Sequence, residues 1–202
     1  MTKQYNLLKF GVAAIAVLTL TLFVGWWQVD GPGAAQSKSN PTFSLVSMDF
    51  KLNNHKGQEV GPDSLIGKAS MVFFGFTHCP DICPTTLSDI SIWLDALGDE
   101  AEKLNVIFIT VDPIRDTTKA MAEYVSFFHP AIEGWTGSEQ QIASAAGDFR
   151  VSYEKVAIDS DDYTMNHTAI VLLFDLNGNL AGTIDYHETK ATALPKIRHA
   201  LQ

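Results

Sequence analysis

Three short, nearly unbroken apolar stretches constrain this chain more than anything else in it: residues 69–76 (ASMVFFGF), 104–111 (LNVIFITV) and 168–174 (TAIVLLF). Each is rich in β-branched and aromatic residues and has the length of an ordinary strand, so each is expected to be a strand buried on both faces. Such strands need helices above and below them. Leu87, Ile90, Leu94 and Leu97 recur at helical spacing and predict an amphipathic helix from Pro84 to Leu97, with the proline in its first turn. Asp116 or Thr117 caps a second helix carrying Ala120, Met121, Tyr124, Val125 and Phe128 on one face. Ser138 with Gln141 reads as the capping box of a third, ending near Ala146. A last helix is expected over about 190–201, its start blurred by Pro195.

Asn177-Gly178 marks a hairpin, and residues 43–50 with 58–60 read as a short opening hairpin around Asn53-Asn54-His55-Lys56-Gly57. The order β-α-β-α-α-β-β-α, with a cysteine pair just after the first buried strand, matches a thioredoxin-like layout. The expectation is an α/β fold with a central mixed sheet flanked by helices, occupying residues 42–202.

The first thirty residues are a different material. From Phe10 to Trp27 runs an uncharged, apolar stretch that as a helix would span roughly 27 Å, close to the thickness of a bilayer core. Lys3 and Lys9 precede it, Trp26 and Trp27 close it, and Asp30 follows. These flanks predict one transmembrane helix with the rest of the chain outside the cytoplasm. A cleaved signal peptide is the rival reading, with a poor site at Gly33-Ala34-Ala35. Residues 31–41 (GPGAAQSKSNP) read as a flexible tether. No Arg- and Ser-rich transit segment precedes the apolar run, so a bacterial inner membrane with a periplasmic domain is expected rather than a mitochondrial one.

Lys and Arg number 14 against 23 Asp and Glu, a net charge of −9, which excludes a general nucleic-acid binder. Cys79 and Cys83 are the two cysteines, too few for a zinc ribbon or an iron–sulfur cluster held by thiolates alone. They sit in FFGFTHCPDICPTTL (73–87), where a buried strand turns into a helix, and the helix N-terminus favours their thiolate forms. A plain disulfide here closes so short a loop that it would stabilise little. Thiolates are nucleophiles and soft ligands, so the pair suits either disulfide exchange or a thiophilic ion. The three-residue gap departs from the two-residue gap of a thioredoxin redox motif and tilts toward metal. No Gly-rich phosphate loop, Ser-His-Asp arrangement or flavin fingerprint is visible.

Four separated segments, FGFTHCPDICPTTL (74–87), ITVDPIRDT (109–117), YVSFFHPAIEGWTG (124–137) and YTMNHTAIVLLFD (163–175), agree in order and spacing with the Sco/SenC family of membrane-tethered copper proteins, which the chain resembles over about residues 40–202. The resemblance implies a thioredoxin-like fold, copper as Cu(I), Cu(II) or both, and a role in assembling the binuclear copper site of cytochrome c oxidase. Its ligands would be Cys79, Cys83 and His167, and its partners the oxidase copper-site subunit and a periplasmic copper donor protein.

Other polar residues have plainer readings. His78, next to Cys79, is expected at the rim. Asp112 opens an Asp-Pro turn, while Arg115 and Asp116 lie in a loop expected beside the cysteine turn. Asp81, between the cysteines, would raise a thiol pKa by its charge or greet a partner. The acidic run 159–162 reads as a solvated loop or a docking point. Two functions remain: a copper metallochaperone, which is not a conventional enzyme, and a thiol–disulfide oxidoreductase in which Cys79 and Cys83 are catalytic and His167 is not needed.

Overall fold

The computed structural model describes residues 15–26, 43–158 and 162–202. The chain divides into two units, the second from Phe43 to Gln202, and each is described by itself. In the first, residues 15–26 form helix α1, exposed along its described length. Thr19 and Thr21 return their hydroxyls to carbonyls of the preceding turn, at 3.1 Å from Ile15 and 2.9 Å from Leu18, which hides the polar groups of an apolar surface. Among the described residues no helix is long and apolar enough to cross a membrane. The span expected over residues 10–27 begins and ends outside the described residues, and the tether of residues 31–41 lies wholly outside them.

In the second unit, strands β1 (Leu52–Asn54), β2 (Glu59–Val60), β3 (Ala69–Gly75), β4 (Leu104–Thr110), β5 (Ile132–Thr136), β8 (Ile170–Phe174) and β9 (Leu180–Asp185) form one sheet in the order β2-β1-β5-β4-β3-β8-β9. β3, β4 and β5 are parallel, because α2 (Ile82–Leu97) and α3 (Thr118–Val125) carry the chain back between them. The outer strands pair antiparallel, so the sheet is mixed. Helices α4 (Glu139–Asp148) and α5 (Lys190–Ala200) complete the unit. Strands β6 (Tyr153–Ala157) and β7 (Tyr163–His167) stand apart as a two-stranded sheet.

Every residue of β3 is buried, as its unbroken apolar run requires. Phe73 and Phe74 leave that strand on opposite sides. Phe73 stacks on Phe108, which meets Tyr124 of α3. Phe74 packs edge-on to Phe149, just after α4, and Phe149 in turn touches Phe50 and Phe174. Two aromatic layers thus sandwich the sheet.

The caps read from sequence are largely in place. Thr117, rather than Asp116, caps α3, accepting from the N–H of Ala120 at 3.3 Å. Ser138 and Gln141 form both halves of the capping box of α4. The hairpin at Asn177-Gly178 joins β8 to β9, with Gly178 at φ +78° and the Asp175 carboxylate accepting the N–H groups of Asn177 and Asn179. Helix α2 starts at Ile82, two residues earlier than expected, which brings Cys83 into its first turn; Pro84 is tolerated there because first-turn N–H groups need no intrahelical partner. Pro195 lies inside α5.

The structure departs from the sequence reading at three places. Residues 43–50 form no strand but a short 3-10 turn, Leu45–Ser47, whose cap Ser44 bridges to Asn179. Strands β5, β6 and β7 were not expected, and β6 and β7 alternate buried and exposed side chains too weakly to show an apolar pattern. The strand expected from residue 168 begins at Ile170 as β8, and His167 just before it ends β7.

Gly75 ends β3 with no room for a side chain. A Cβ there would lie 2.7 Å from Cys83 Sγ and 2.7 Å from Phe108 Cε2, both buried. Gly75→Ala is therefore expected to lower the stability of the reduced protein by about 1–3 kcal/mol in urea denaturation. An unchanged midpoint would contradict this close approach.

Candidate metal centre

After Gly75 the chain makes one turn and enters α2, and this turn is tied down by a buried carboxylate. Asp116 is fully buried. Its Oδ2 accepts the Thr77 N–H at 3.0 Å and the Thr110 hydroxyl at 2.6 Å, and its Oδ1 accepts the Thr77 hydroxyl at 2.6 Å. Its backbone carbonyl takes the Thr136 hydroxyl at 2.7 Å. Three donors on one carboxylate offset the loss of its hydration and join the ends of β3, β4 and β5. The Cys79 N–H closes the turn on the Phe76 carbonyl at 3.2 Å.

The two sulfurs meet at the start of α2. Cys83 is fully buried over Gly75, whereas Cys79 is partly exposed. The Cys83 N–H donates to Cys79 Sγ at 3.4 Å, and Cys83 Sγ lies 3.6 Å from His167 Nε2. His167 Nδ1 is 3.0 Å from the Thr168 carbonyl oxygen. A carbonyl can only accept, so Nδ1 carries the proton and the Nε2 lone pair faces the sulfurs. Phe73 and Phe76 hold the ring edge-on, with centroids 6.2 Å and 5.9 Å away.

Reduced, the pair shares its protons unequally. A hydrogen bond from the Cys83 thiol, helped by the N–H groups of Cys83 and Asp81, holds Cys79 down to about 4 against the opposing effect of burial. Cys83 is pushed far above the ordinary thiol range, first by that same hydrogen bond, then by burial and by the negative charge on Cys79. The result is one thiolate at the surface and one thiol beneath it. Asp81 acts on Cys79 through its backbone N–H, which lowers the thiol, and not through the carboxylate charge the sequence pointed to.

The structure brings Cys79, Cys83 and His167 together, and leaves the rival residues elsewhere. His78 is half-exposed and faces Thr77 and Asp116. His55 and His129 accept backbone N–H groups from Gly134 and Ala131. Asp112 and Arg115 pair with each other and reach β7 through Tyr163. Asp159, Ser160 and Asp161 of the acidic run lie outside the described residues, and Asp162 is 3.5 Å from Arg115. Among the described residues, no set of three His, Cys, Asp or Glu side chains is closed enough to hold an ion as it stands.

The SCO1/SenC family model matches residues 38–202. The chain belongs to the SCO1/SenC family. Among its Sco relatives is an SCO2-like protein of Rickettsia conorii, 36% identical over 183 residues, covering 88% of this chain and 89% of the relative. Two solved Sco structures, both described with copper bound, are similar throughout the folded unit. ScoI of Bradyrhizobium japonicum is 42% identical with a TM-score of 0.71, covering 75% of this chain and 97% of that one. Yeast Sco1 is 34% identical with a TM-score of 0.69, covering 74% and 84%. The fold of this Sco protein is accordingly thioredoxin-like, with its mixed sheet flanked by helices.

Gly75 escaped the sequence reading although it had a signal, since a lone glycine between Phe74 and Phe76 in a buried strand marks a close approach. Asp116 was expected beside the cysteine turn, where it lies, but its burial and its hold on Thr77 had no signal, because a carboxylate before a helix reads as a cap whether or not it is buried.

The unequal acidity of the thiols has a direct test in alkylation of the reduced protein followed by peptide mapping. Cys79 labelling is expected to stay nearly flat from pH 8 to pH 5 and to fall as the pH drops through about 4, with Cys83 inert throughout. A Cys79 rate that climbs about tenfold per pH unit up to the ordinary thiol value near 8.5 would contradict it.

Proposed function

We propose that this protein is a membrane-tethered copper chaperone that holds one copper ion through Cys79, Cys83 and His167 and passes it by ligand exchange to the copper-site subunit of cytochrome c oxidase. The observation that carries this reading is the 3.6 Å separation of Cys83 Sγ and His167 Nε2, with the nitrogen lone pair turned inward. Two ligands on one ion, with bonds of about 2.3 Å to sulfur and about 2.0 Å to imidazole, stand about 3.5–3.7 Å apart. Two thiolates and an imidazole make a soft set suited to Cu(I), and Cu(II) is held when water or a further ligand joins. The partly exposed Cys79 is the natural point of entry and exit for the metal, because an incoming thiolate reaches it first.

Family membership supports the destination, and the copper-bound relatives support the cargo. The apolar run at residues 10–27, with lysines before it and tryptophans at its end, supports a single-pass anchor in a bacterial inner membrane. Residues 31–41 then serve as the tether, and the acidic folded unit works in the periplasm, where a copper donor protein loads it.

One observation favours a second reading. A low-pKa, accessible Cys79 above a buried, protonated Cys83 is the asymmetry of an attacking and a resolving thiol. In that chemistry the Cys79 thiolate attacks a target disulfide and releases one target thiolate. Cys83 then gives up its proton and displaces the second, leaving the target reduced and Cys79–Cys83 oxidised. His167 is dispensable there.

The reduced full-length protein, titrated with Cu(I) against a competing chelator, separates the two. A one-to-one complex is expected, weakened by at least about 10-fold in His167→Ala and more in Cys79→Ser or Cys83→Ser. Unchanged affinity in His167→Ala would overturn the third ligand. Disulfide exchange retained in a protein that binds no copper would leave only the oxidoreductase reading.

A further inference from the structure

We propose that Arg115 is the positioning residue that sets His167 against the two sulfurs, a role that rests on His167 being a copper ligand. His167 is not carried by the main sheet. It ends β7, which among the described residues pairs only with β6, from Tyr153 opposite His167 to Ala157 opposite Tyr163. The bonds between Ser152 and Thr168 close the base of this hairpin on itself and do not tie it to the sheet. A ligand on such an arm is placed only as well as the contacts that dock the arm.

Met165 buries itself in the core with Tyr153 and Tyr163 packed beside it, and Arg115 adds the directional polar contacts from the loop after β4. Its Nε pairs with the Asp112 carboxylate, its Nη1 donates to the Tyr163 carbonyl at 3.0 Å, and its guanidinium lies 3.8 Å from the Tyr163 ring centroid. The same group sits 5.9 Å from the Phe76 ring, which in turn meets His167 edge-on. Tyr163 answers by donating its hydroxyl to Asp112 at 2.9 Å.

Tyr163, Met165 and His167 alternate along β7 and so share one face, and Met165 between them is buried. Arg115 therefore grips the face that presents the imidazole, about 13 Å along the strand from it. Only a planar fork can bond a carboxylate and a carbonyl while stacking on a ring; a lysine at position 115 would keep the charge and lose that geometry.

A double-mutant cycle on the full-length protein tests this, with Cu(I) affinity measured by chelator competition in wild type, Arg115→Met, His167→Ala and the double variant. Arg115→Met is expected to weaken binding about 10–100-fold when His167 is present and to cost nothing further when it is absent. Arg115→Lys and Tyr163→Phe keep most of the buried contacts and repeat the cycle if Arg115→Met does not fold, each with a smaller loss confined to the His167 background. Wild-type affinity in the Arg115 variants, or equal losses in both backgrounds, would overturn the positioning role. A His167→Ala protein that binds as tightly as wild type would instead overturn the ligand assignment beneath it.

Discussion

The buried carboxylate of Asp116 is the constraint on which the site depends. A charge with no exposure survives in a protein only when donors surround it, and here Thr77 and Thr110 supply three. Those donors come from the ends of two neighbouring parallel strands, while the backbone of Asp116 binds a hydroxyl at the end of a third. One residue thus gathers three strand ends and holds the cysteine turn above them. Its negative charge also bears on Cys83, where it helps keep the deeper sulfur protonated. Structure and electrostatics meet in the same side chain.

The sulfurs and the imidazole are held by different means. Cys83 is locked in the core over Gly75, and Cys79 is fixed by the turn and the first N–H groups of α2. His167 reaches the same point from an arm whose strands, among the described residues, form a sheet of their own apart from the main one. On the proposed ligation, copper held by two rigid ligands and one arm-borne ligand would be gripped and released with little disturbance to the fold. A metal-transfer protein needs that combination, since too complete a cage would trap its cargo.

Much of this was legible in the sequence. Unbroken apolar runs revealed β3, β4 and β8 because burial on both faces leaves no room for polar side chains. Caps at Thr117 and Ser138 and the Asn177-Gly178 turn are local chemistry and could be read locally. The hairpin of β6 and β7 could not, because Glu154, Lys155, Thr164 and Asn166 leave no apolar pattern, and its place depends on Arg115 some fifty residues earlier. Of the site, the cysteines announced themselves by position. His167 emerged only through family resemblance, since nothing local distinguishes it from the five other histidines. The work of Asp116 and Gly75 is tertiary: one is a cap-like aspartate turned inward, the other a gap shaped for a sulfur.

X-ray absorption at the copper edge of the Cu(I)-loaded protein bears most directly on the convergence of these three side chains. Two sulfurs and one imidazole nitrogen are expected in the first coordination shell, with the nitrogen and its outer ring scattering lost in His167→Ala. A shell of sulfur alone in the wild-type protein, identical to that of the variant, would contradict it.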